Sequence, residues 1–275
     1  MVSEPIKKII KYALAEDIGA GDITTQASVS PKKKGRAIAV AKEDFIIAGI
    51  DVFAETFQFL DENTKIKKLM NDGRRAKKGD VIAEVSGSLS NILQAERVAL
   101  NLFQRMCGIA TLTAKYVKAV RGTKVKILDT RKTVPGLRIL DKMAVRIGGG
   151  RNHRIGLYDG VLIKDNHIEA AGDITSAVKA QRKNHFMKIE VETKNIKEVK
   201  EALKCDVDVI MLDNMSVPAM KKAVDFVKGR TLLEASGNVS LKNVAAIAAI
   251  GVDFISIGEL THSVRAADIS LKIIA

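Results

Sequence analysis

At 275 residues the chain is long enough for one large domain or two ordinary ones, with cores that need neither disulfides nor metals. Its 47% hydrophobic and 28% charged residues, with four prolines, exclude the disordered and fibrous classes, and no apolar run reaches the roughly 18 residues of a membrane span. The net charge of +13, from 45 Lys and Arg against 32 Asp and Glu, favours anionic ligands, either nucleic acid or small phosphorylated or carboxylated molecules. With no Trp and 4% aromatics, few platforms exist for stacking bases, so nucleic acid is the weaker class. The lysine runs at 32–34, 65–68, 77–78 and 221–222 each read as a solvated face. Cys107 and Cys205 lack metal-ligand spacing and are expected to be reduced, buried and inert. The first ten residues lack the apolar stretch of a secretory signal, so a cytoplasmic location is expected, with no membrane partner.

In chain order, residues 3–15 predict a helix with Ile6, Ile9, Ile10 and Ala13 on one face, broken by GAGDITT at 19–25. Residues 35–85 predict short strands (RAIAVA, EDFIIAG, KIKKL, DVIAEVSG) with turns at 72–73 and 77–80, a packing module only. A long helix follows over 91–120, apolar at Leu93, Ala95, Val98, Ala99, Leu102, Phe103 and Met106, with an interruption expected at Gly108.

From residue 123 the pattern changes. Apolar runs at 124–130, 160–166, 186–193, 208–214, 231–237 and 253–259 each end in polar residues or glycine, as buried parallel strands do. The last four recur about every 22 residues with helical patterns between them, and Asp173, Ser216 and Ser240 read as N-caps with Pro218 in a first turn. The fold class is therefore α/β: a smaller N-terminal α+β domain over 1–107, and a C-terminal α/β-barrel-like domain over 108–264. Six strong strands fall short of a closed eight-stranded barrel. Polar groups gather past the strands' carboxyl ends: Asp129 and Arg131, Lys164 and Asp165, Glu190 and Glu192, Asp213 and Asn214, Ser236, and Ser256.

The densest segment, 129–167, holds Arg131, Lys132, Arg138, Lys142, Arg146, Arg151, Arg154 and Lys164, a cationic pocket for a polyanion. Gly148, Gly149 and Gly150 would allow a tight turn or close backbone approach, without the flanking residues of a P-loop or dinucleotide fingerprint. Glu192 and Asp213, past successive strands, would hold sugar hydroxyls or a magnesium ion; the plainer role is a cap or salt bridge. Ser236-Gly237-Asn238 and Ser256-Ile257-Gly258 stand where barrels bind phosphate through backbone N–H groups. His185 and His262 read as surface or packing positions.

The segments EDIGAGDITT, AERVALNLFQRMCGIAT, DTRKTVPGLRILDKMAVRIGGGRNHRIGLYDGVLIKDNHI, EVET, IMLDN, LEASGN and ISIGELTHS, in this order, resemble the quinolinate phosphoribosyltransferase family essentially end to end. The resemblance implies transfer of phosphoribosyl from phosphoribosyl pyrophosphate (PRPP) to quinolinate with Mg2+ and no organic cofactor, then decarboxylation to nicotinate mononucleotide. It implies that Arg131, His153, Arg154 and Lys164 surround the quinolinate carboxylates, and that Arg97 reaches the site from the other subunit of a homodimer. Lys132, Glu192 and Asp213 would hold PRPP, the acids at its ribose or metal, with Ser236, Gly237, Asn238, Ser256 and Gly258 at its phosphates. Arg131, Lys164, Glu192 and Asp213 are then the residues nearest the chemistry, and residues 265–275 would return to the N-terminal domain. Two departures concern affinity for PRPP: Asn238 stands where many relatives have glycine, and Glu259 where a small residue is common. Three rival readings are a relative encoded beside molybdate transporters, nicotinate phosphoribosyltransferase, and a nucleic-acid-binding protein. The intact NHR and IKDNH motifs disfavour the first, and the extra cationic groups the second.

Overall fold

In the computed structural model, residues 2–184 and 187–274 are described; His185 and Phe186, in the segment expected to lead into a strand, lie outside them. In chain order the first elements are α1 (Glu4–Ile18), α2 (Ile23–Ser28), β1 (Lys34–Ala41), β2 (Phe45–Ile46), α3 (Ile50–Leu60), β3 (Lys65–Lys68), β4 (Arg75–Ala76), β5 (Val81–Ser88) and α4 (Leu89–Ala119). They are followed by β6 (Lys126–Leu128), α5 (Arg138–Ile147), β7 (Val161–Ile163), α6 (Asp165–Ala171), α7 (Ile174–Asn184), β8 (Ile189–Thr193), α8 (Ile196–Lys204), β9 (Val209–Asp213) and α9 (Val217–Val227). The chain ends with β10 (Leu232–Ser236), α10 (Val244–Ala249), β11 (Phe254–Ser256), α11 (Glu259–His262) and β12 (Ile269–Ile274). No helix is long and apolar enough to cross a membrane among the described residues.

The chain divides into two compact units. One comprises the chain up to Ala114, Thr133–Gly149 and the chain from Ser263. Its main sheet has the order β12-β1-β5-β3, all antiparallel, so the strand nearest the C-terminus pairs with β1 in register Arg36↔Ile274 to Ala41↔Ile269. Alternation in β1 buries Ala37, Ala39 and Ala41, small residues that let Phe53, Phe57 and Phe103 fill the core. The Phe53 ring meets Phe57 edge-on with centroids 5.0 Å apart.

The interruption expected at Gly108 does not occur: α4 runs unbroken from Leu89 to Ala119. Glycine is needed there for space, since a Cβ would lie 2.2 Å from the Arg265 carbonyl oxygen where the returning chain crosses the helix. The helix keeps its hydrogen-bond ladder at the modest propensity cost of one glycine. Gly148 serves similarly, its missing Cβ leaving room for the Ala110 carbonyl at 2.5 Å, while Gly149 takes φ 91° after α5. Gly148 thus serves helix packing and Gly149 the tight turn expected of the triplet.

The other unit, Lys115–Lys132 with Gly150–His262, contains a six-stranded parallel sheet in the order β6-β11-β10-β9-β8-β7. The sheet is open: β6 and β7 are its edges, and beyond β6 there is a single bridge, Leu128↔Arg151. The barrel-like expectation thus resolves to an α/β sheet that does not close. Ser216 caps α9, accepting from the Ala219 N–H, and Asp173 accepts from the Ser176 N–H at the start of α7. Ser240 does not cap: a turn intervenes, and α10 starts later, at Val244. Cys107 is buried, its thiol pushed up by burial, whereas Cys205 is half-buried, not fully buried as expected.

Gly108→Ala is expected to destabilise the protein by about 3 kcal/mol, because the obstructing atom belongs to backbone and cannot rotate away. Urea unfolding of the variant beside the parent checks this.

Candidate active site

Paired residues in a parallel sheet point to the same face. The registers Glu190↔Val209↔Leu232, Glu192↔Met211↔Glu234↔Phe254 and Asp213↔Ser236 therefore place these side chains on one face. The opposite face carries Ile189, Val191, Ile210, Leu212, Leu233, Ala235 and Ile255, all buried. One face is an apolar surface for helices. The other carries three glutamates, and its polar character rises toward the carboxyl ends of the strands.

At that rim the structure brings most of the expected groups together. Lys164, directly after β7, puts Nζ 3.4 Å from Glu192 Oε2. Burial raises the Glu192 carboxyl above its ordinary value, opposed by Lys164 and reinforced by the negative charge of Asp213. Lys132 lies over the Gly258 turn, where a Cβ on the glycine would come 3.1 Å from Lys132 Cδ and 2.9 Å from His262 Cδ2. The turn is fixed by the Thr261 hydroxyl donating to the Lys132 carbonyl at 2.7 Å. His262 thus packs at this turn rather than standing apart from it. Asn214 donates to Asp213 Oδ2 at 2.7 Å and accepts from Asn238 Nδ2 at 3.0 Å, and Gly237, at φ 84°, leaves the space that Asn214 Oδ1 occupies.

Deeper in the same unit, buried Asp129 accepts from the His153 N–H at 2.9 Å and from Asn152 Nδ2 at 2.5 Å, holding the NHR segment against the end of β6. His153 Nδ1 accepts from the Arg154 N–H at 2.8 Å. An N–H can only donate, so Nδ1 is the acceptor in that contact. Nε2 donates to Glu190 Oε2 at 2.9 Å and stands 3.7 Å from Glu234 Oε2. Arg154 donates through Nη1 to the Gly160 carbonyl at 3.0 Å, and its Nε is buried without a hydrogen-bond partner among the described residues. Burial lowers the Arg154 guanidinium from its ordinary value, and the nearby positive charge of Arg131 lowers it further. A cavity of about 440 Å³ is lined by His153, Arg154, Glu190 and Glu234, with Val161, Val209 and Phe254, at the starts of their strands, in its wall.

The residues of the cationic segment are divided between the two units. Arg131, Arg154 and Lys164 fall in the sheet unit, whereas Arg138, Lys142 and Arg146 belong to α5 in the other, where Arg105 pairs bidentately with buried Asp141 at 2.8 Å. Arg97 is exposed on α4. Glu259, expected to bring negative charge to the phosphate turn, accepts a 2.7 Å hydrogen bond from the buried Tyr116 hydroxyl. Glu234 was not among the expected site residues, although a glutamate inside the apolar run LLEAS, two residues before Ser236, was a readable signal. Magnesium would find hard oxygen donors in Glu192 and Asp213 on neighbouring strands, a donor set of the right chemistry.

Glu234 is 1% exposed, and burial followed by the charge of Glu190 pushes its carboxyl from 4.5 up to about 8. The folded protein then keeps a proton that the unfolded chain loses, so stability is unaffected below about pH 4.5 and falls as pH rises toward about 8. Glu234→Gln is expected to remove that component, gaining on the parent by up to about 1.4 kcal/mol per pH unit across this window. Urea unfolding of both proteins at about pH 5 and about pH 9 measures it; parallel profiles would show the carboxyl already ionised.

Comparison with known proteins agrees with this geometry. The family model described as quinolinate phosphoribosyl transferase, C-terminal domain, matches residues 109–272, and the corresponding N-terminal domain matches residues 22–107. The chain is 48% identical to the chloroplastic nicotinate-nucleotide pyrophosphorylase (carboxylating) of Arabidopsis thaliana, over 98% of this chain and 82% of that one. It is 46% identical to the mitochondrial quinolinate phosphoribosyltransferase (decarboxylating) 2b of Nicotiana tabacum, with the same coverage of 98% and 82%. Among solved structures, the nicotinate-nucleotide pyrophosphorylase from Ehrlichia chaffeensis superposes with a TM-score of 0.95 at 44% identity, covering 99% of both chains. The enzyme of that name from Francisella tularensis gives 0.92 at 40% identity, over 100% of this chain and 98% of the other. The chain belongs to the quinolinate phosphoribosyltransferase family.

Proposed function

We propose that the chain transfers phosphoribosyl from PRPP to the ring nitrogen of quinolinate and decarboxylates the product to nicotinate mononucleotide, a step of NAD synthesis, with the dicarboxylate held by Arg131, Arg154 and Lys164. The observation that carries this placement is the pairing of Arg154 with Arg131 in a half-buried setting, with Arg154 Nε enclosed and unsatisfied. Two like charges held together favour a ligand with more than one anionic group, and the planar guanidinium matches a carboxylate. His153 holds the Arg154 backbone through Nδ1 and Glu190 through Nε2, and so orients Arg154.

PRPP occupies the rim. Lys132 over the Gly258 turn, with Ser256 and the Ser236-Gly237-Asn238 turn, supplies cationic and N–H donors to its phosphates. Glu192 and Asp213 take the ribose hydroxyls and a magnesium ion, which when bound neutralises charge on the departing pyrophosphate. As the C–O bond to pyrophosphate lengthens, positive charge grows on the ribose beside these two carboxylates, and the ring nitrogen attacks the same carbon. No protein nucleophile is required. Loss of carbon dioxide follows at the carbon next to the cationic ring nitrogen, which stabilises the electron pair left behind.

Purified protein with quinolinate, PRPP and magnesium is expected to yield nicotinate mononucleotide and carbon dioxide in equal amounts, and nothing when nicotinate replaces quinolinate. Arg154→Leu is expected to raise KM for quinolinate about 10²-fold, the worth of roughly 3 kcal/mol of charge-assisted hydrogen bonding, with KM for PRPP little changed. Normal quinolinate binding by that variant would refute the placement. The absence of product from well-folded parent protein would favour the molybdate-associated relative.

Arg97, exposed on α4, completes the quinolinate site of a partner subunit in a homodimer. Arg97→Ala and Lys164→Ala, each inactive alone, should regain about a quarter of parental activity when mixed and allowed to exchange, since half the dimers are hybrids with one intact site. Mixtures that stay inactive despite demonstrated exchange would place both residues in one subunit's site.

A further inference from the structure

The carboxyl ends of the neighbouring strands β9 and β10 are joined by a run of amides. Asp213 ends β9 and is followed by Asn214; Ser236 ends β10 and is followed by Gly237 and Asn238. Asn214 and Asn238 both take left-handed backbone, at φ 53° and φ 52°, a region unfavourable for most L-residues and better tolerated by asparagine. These two turns bring the side chains together, with Asn238 Nδ2 donating to Asn214 Oδ1 at 3.0 Å.

Both asparagines are held from other sides as well. The Asn214 N–H donates to the Ser236 carbonyl at 2.9 Å, and its Oδ1 fills the space that a Cβ on Gly237 would take, 2.1 Å away. Asn243, just before α10, donates through Nδ2 to the Asn238 carbonyl at 2.9 Å and accepts from the Ser240 N–H at 2.8 Å. At the other end of the run, Asn214 Nδ2 donates to Asp213 Oδ2 at 2.7 Å. Glu192 has Lys164 at 3.4 Å, but Asp213 pairs with no cation among the described residues, and Asn214 is the one donor to its carboxylate there. The direction of each contact follows. A carboxylate only accepts, so Asn214 turns its NH2 to Asp213 and its oxygen to Asn238, which must donate. Without that donor the Asn214 amide is free to turn over, which sets its oxygen against the carboxylate.

We propose that Asn238 is a positioning residue for PRPP: acting through Asn214, its side chain holds the Asp213 carboxylate in the orientation that meets the ribose and its magnesium ion. This rests on the reading that Asp213 takes those groups. The role belongs to the side-chain amide and is separate from that of the backbone N–H groups of the same turn, which serve the phosphates.

The test is Asn238→Gly, which takes φ 52° freely and keeps the backbone N–H while deleting the amide. PRPP binding with magnesium is measured by calorimetry without quinolinate, and KM for each substrate in the complete reaction. The dissociation constant and KM for PRPP are expected to rise about 5-fold, the net worth of one hydrogen bond, with KM for quinolinate unmoved. Asn214→Gly is expected to show the same loss, and the double variant no more than either alone, because the two amides act in series. Parental PRPP affinity in Asn238→Gly would overturn the proposal, and so would losses that multiply in the double variant. If Asn238 served only to shape the turn, glycine would relieve it and PRPP would bind as well as to the parent or better. Asp213→Asn tests the underlying reading separately. Parental PRPP affinity in that variant would remove both the reading and the proposal, whereas weakened binding there beside parental binding in Asn238→Gly would remove the proposal alone.

Discussion

Alternation along parallel strands is the constraint on which the rest of the site depends. Because Ile189, Val191, Ile210, Leu212, Leu233 and Ala235 must face the helices, Glu190, Glu192, Asp213, Glu234 and Ser236 face the other way. Two-residue spacing then stacks the polar groups in rows. Glu190 lies one row below Glu192, and Glu234 one row below Ser236, so one strand contributes to both the rim and the interior. Glu190 and Glu192 are equally buried, at 8% exposure, and Glu234 is more so at 1%, whereas Asp213 and Ser236 are half-buried.

What differs among these carboxylates is the neighbour each one meets. At the rim, Lys164 opposes the effect of burial on Glu192. For Glu234, burial and the charge of Glu190 raise the carboxyl, opposed by His153, whose Nε2 stands 3.7 Å from Glu234 Oε2. The same histidine joins the two levels, because the N–H it accepts belongs to Arg154. One imidazole thus links the Arg154 backbone to the buried carboxylate pair.

Much of this was legible in the sequence, and the reasons differ by residue. The strand runs, their polar ends and the cap at Ser216 followed from local periodicity and composition. Gly108 misled because a glycine in a helical pattern is either a break or a close approach, and only the Arg265 carbonyl, 157 positions away in sequence, distinguishes them. Which compact unit each residue of 129–167 joins was not legible, because charge density along a chain carries no information on it. Glu234 was overlooked because it lies inside an apolar run, where its meaning depends on Glu190, 44 positions earlier.

The two departures at the phosphate turns have local physical solutions. Asn238 adopts φ 52°, a region glycine enters freely and asparagine tolerates better than most residues. Its side chain then acquires a definite polarity. Asp213 can only accept, so Asn214 must present its amide N–H to it and its carbonyl to Asn238, which in turn must donate. The carboxylate at the rim therefore sets the orientation of both amides, and Asn238 holds in place the acid expected to meet the ribose. Glu259 is drawn aside by the buried Tyr116 hydroxyl, which donates to it at 2.7 Å. Its negative charge is anchored by a bond worth about 2 kcal/mol, while Lys132 lies against the Gly258 turn proposed for phosphate.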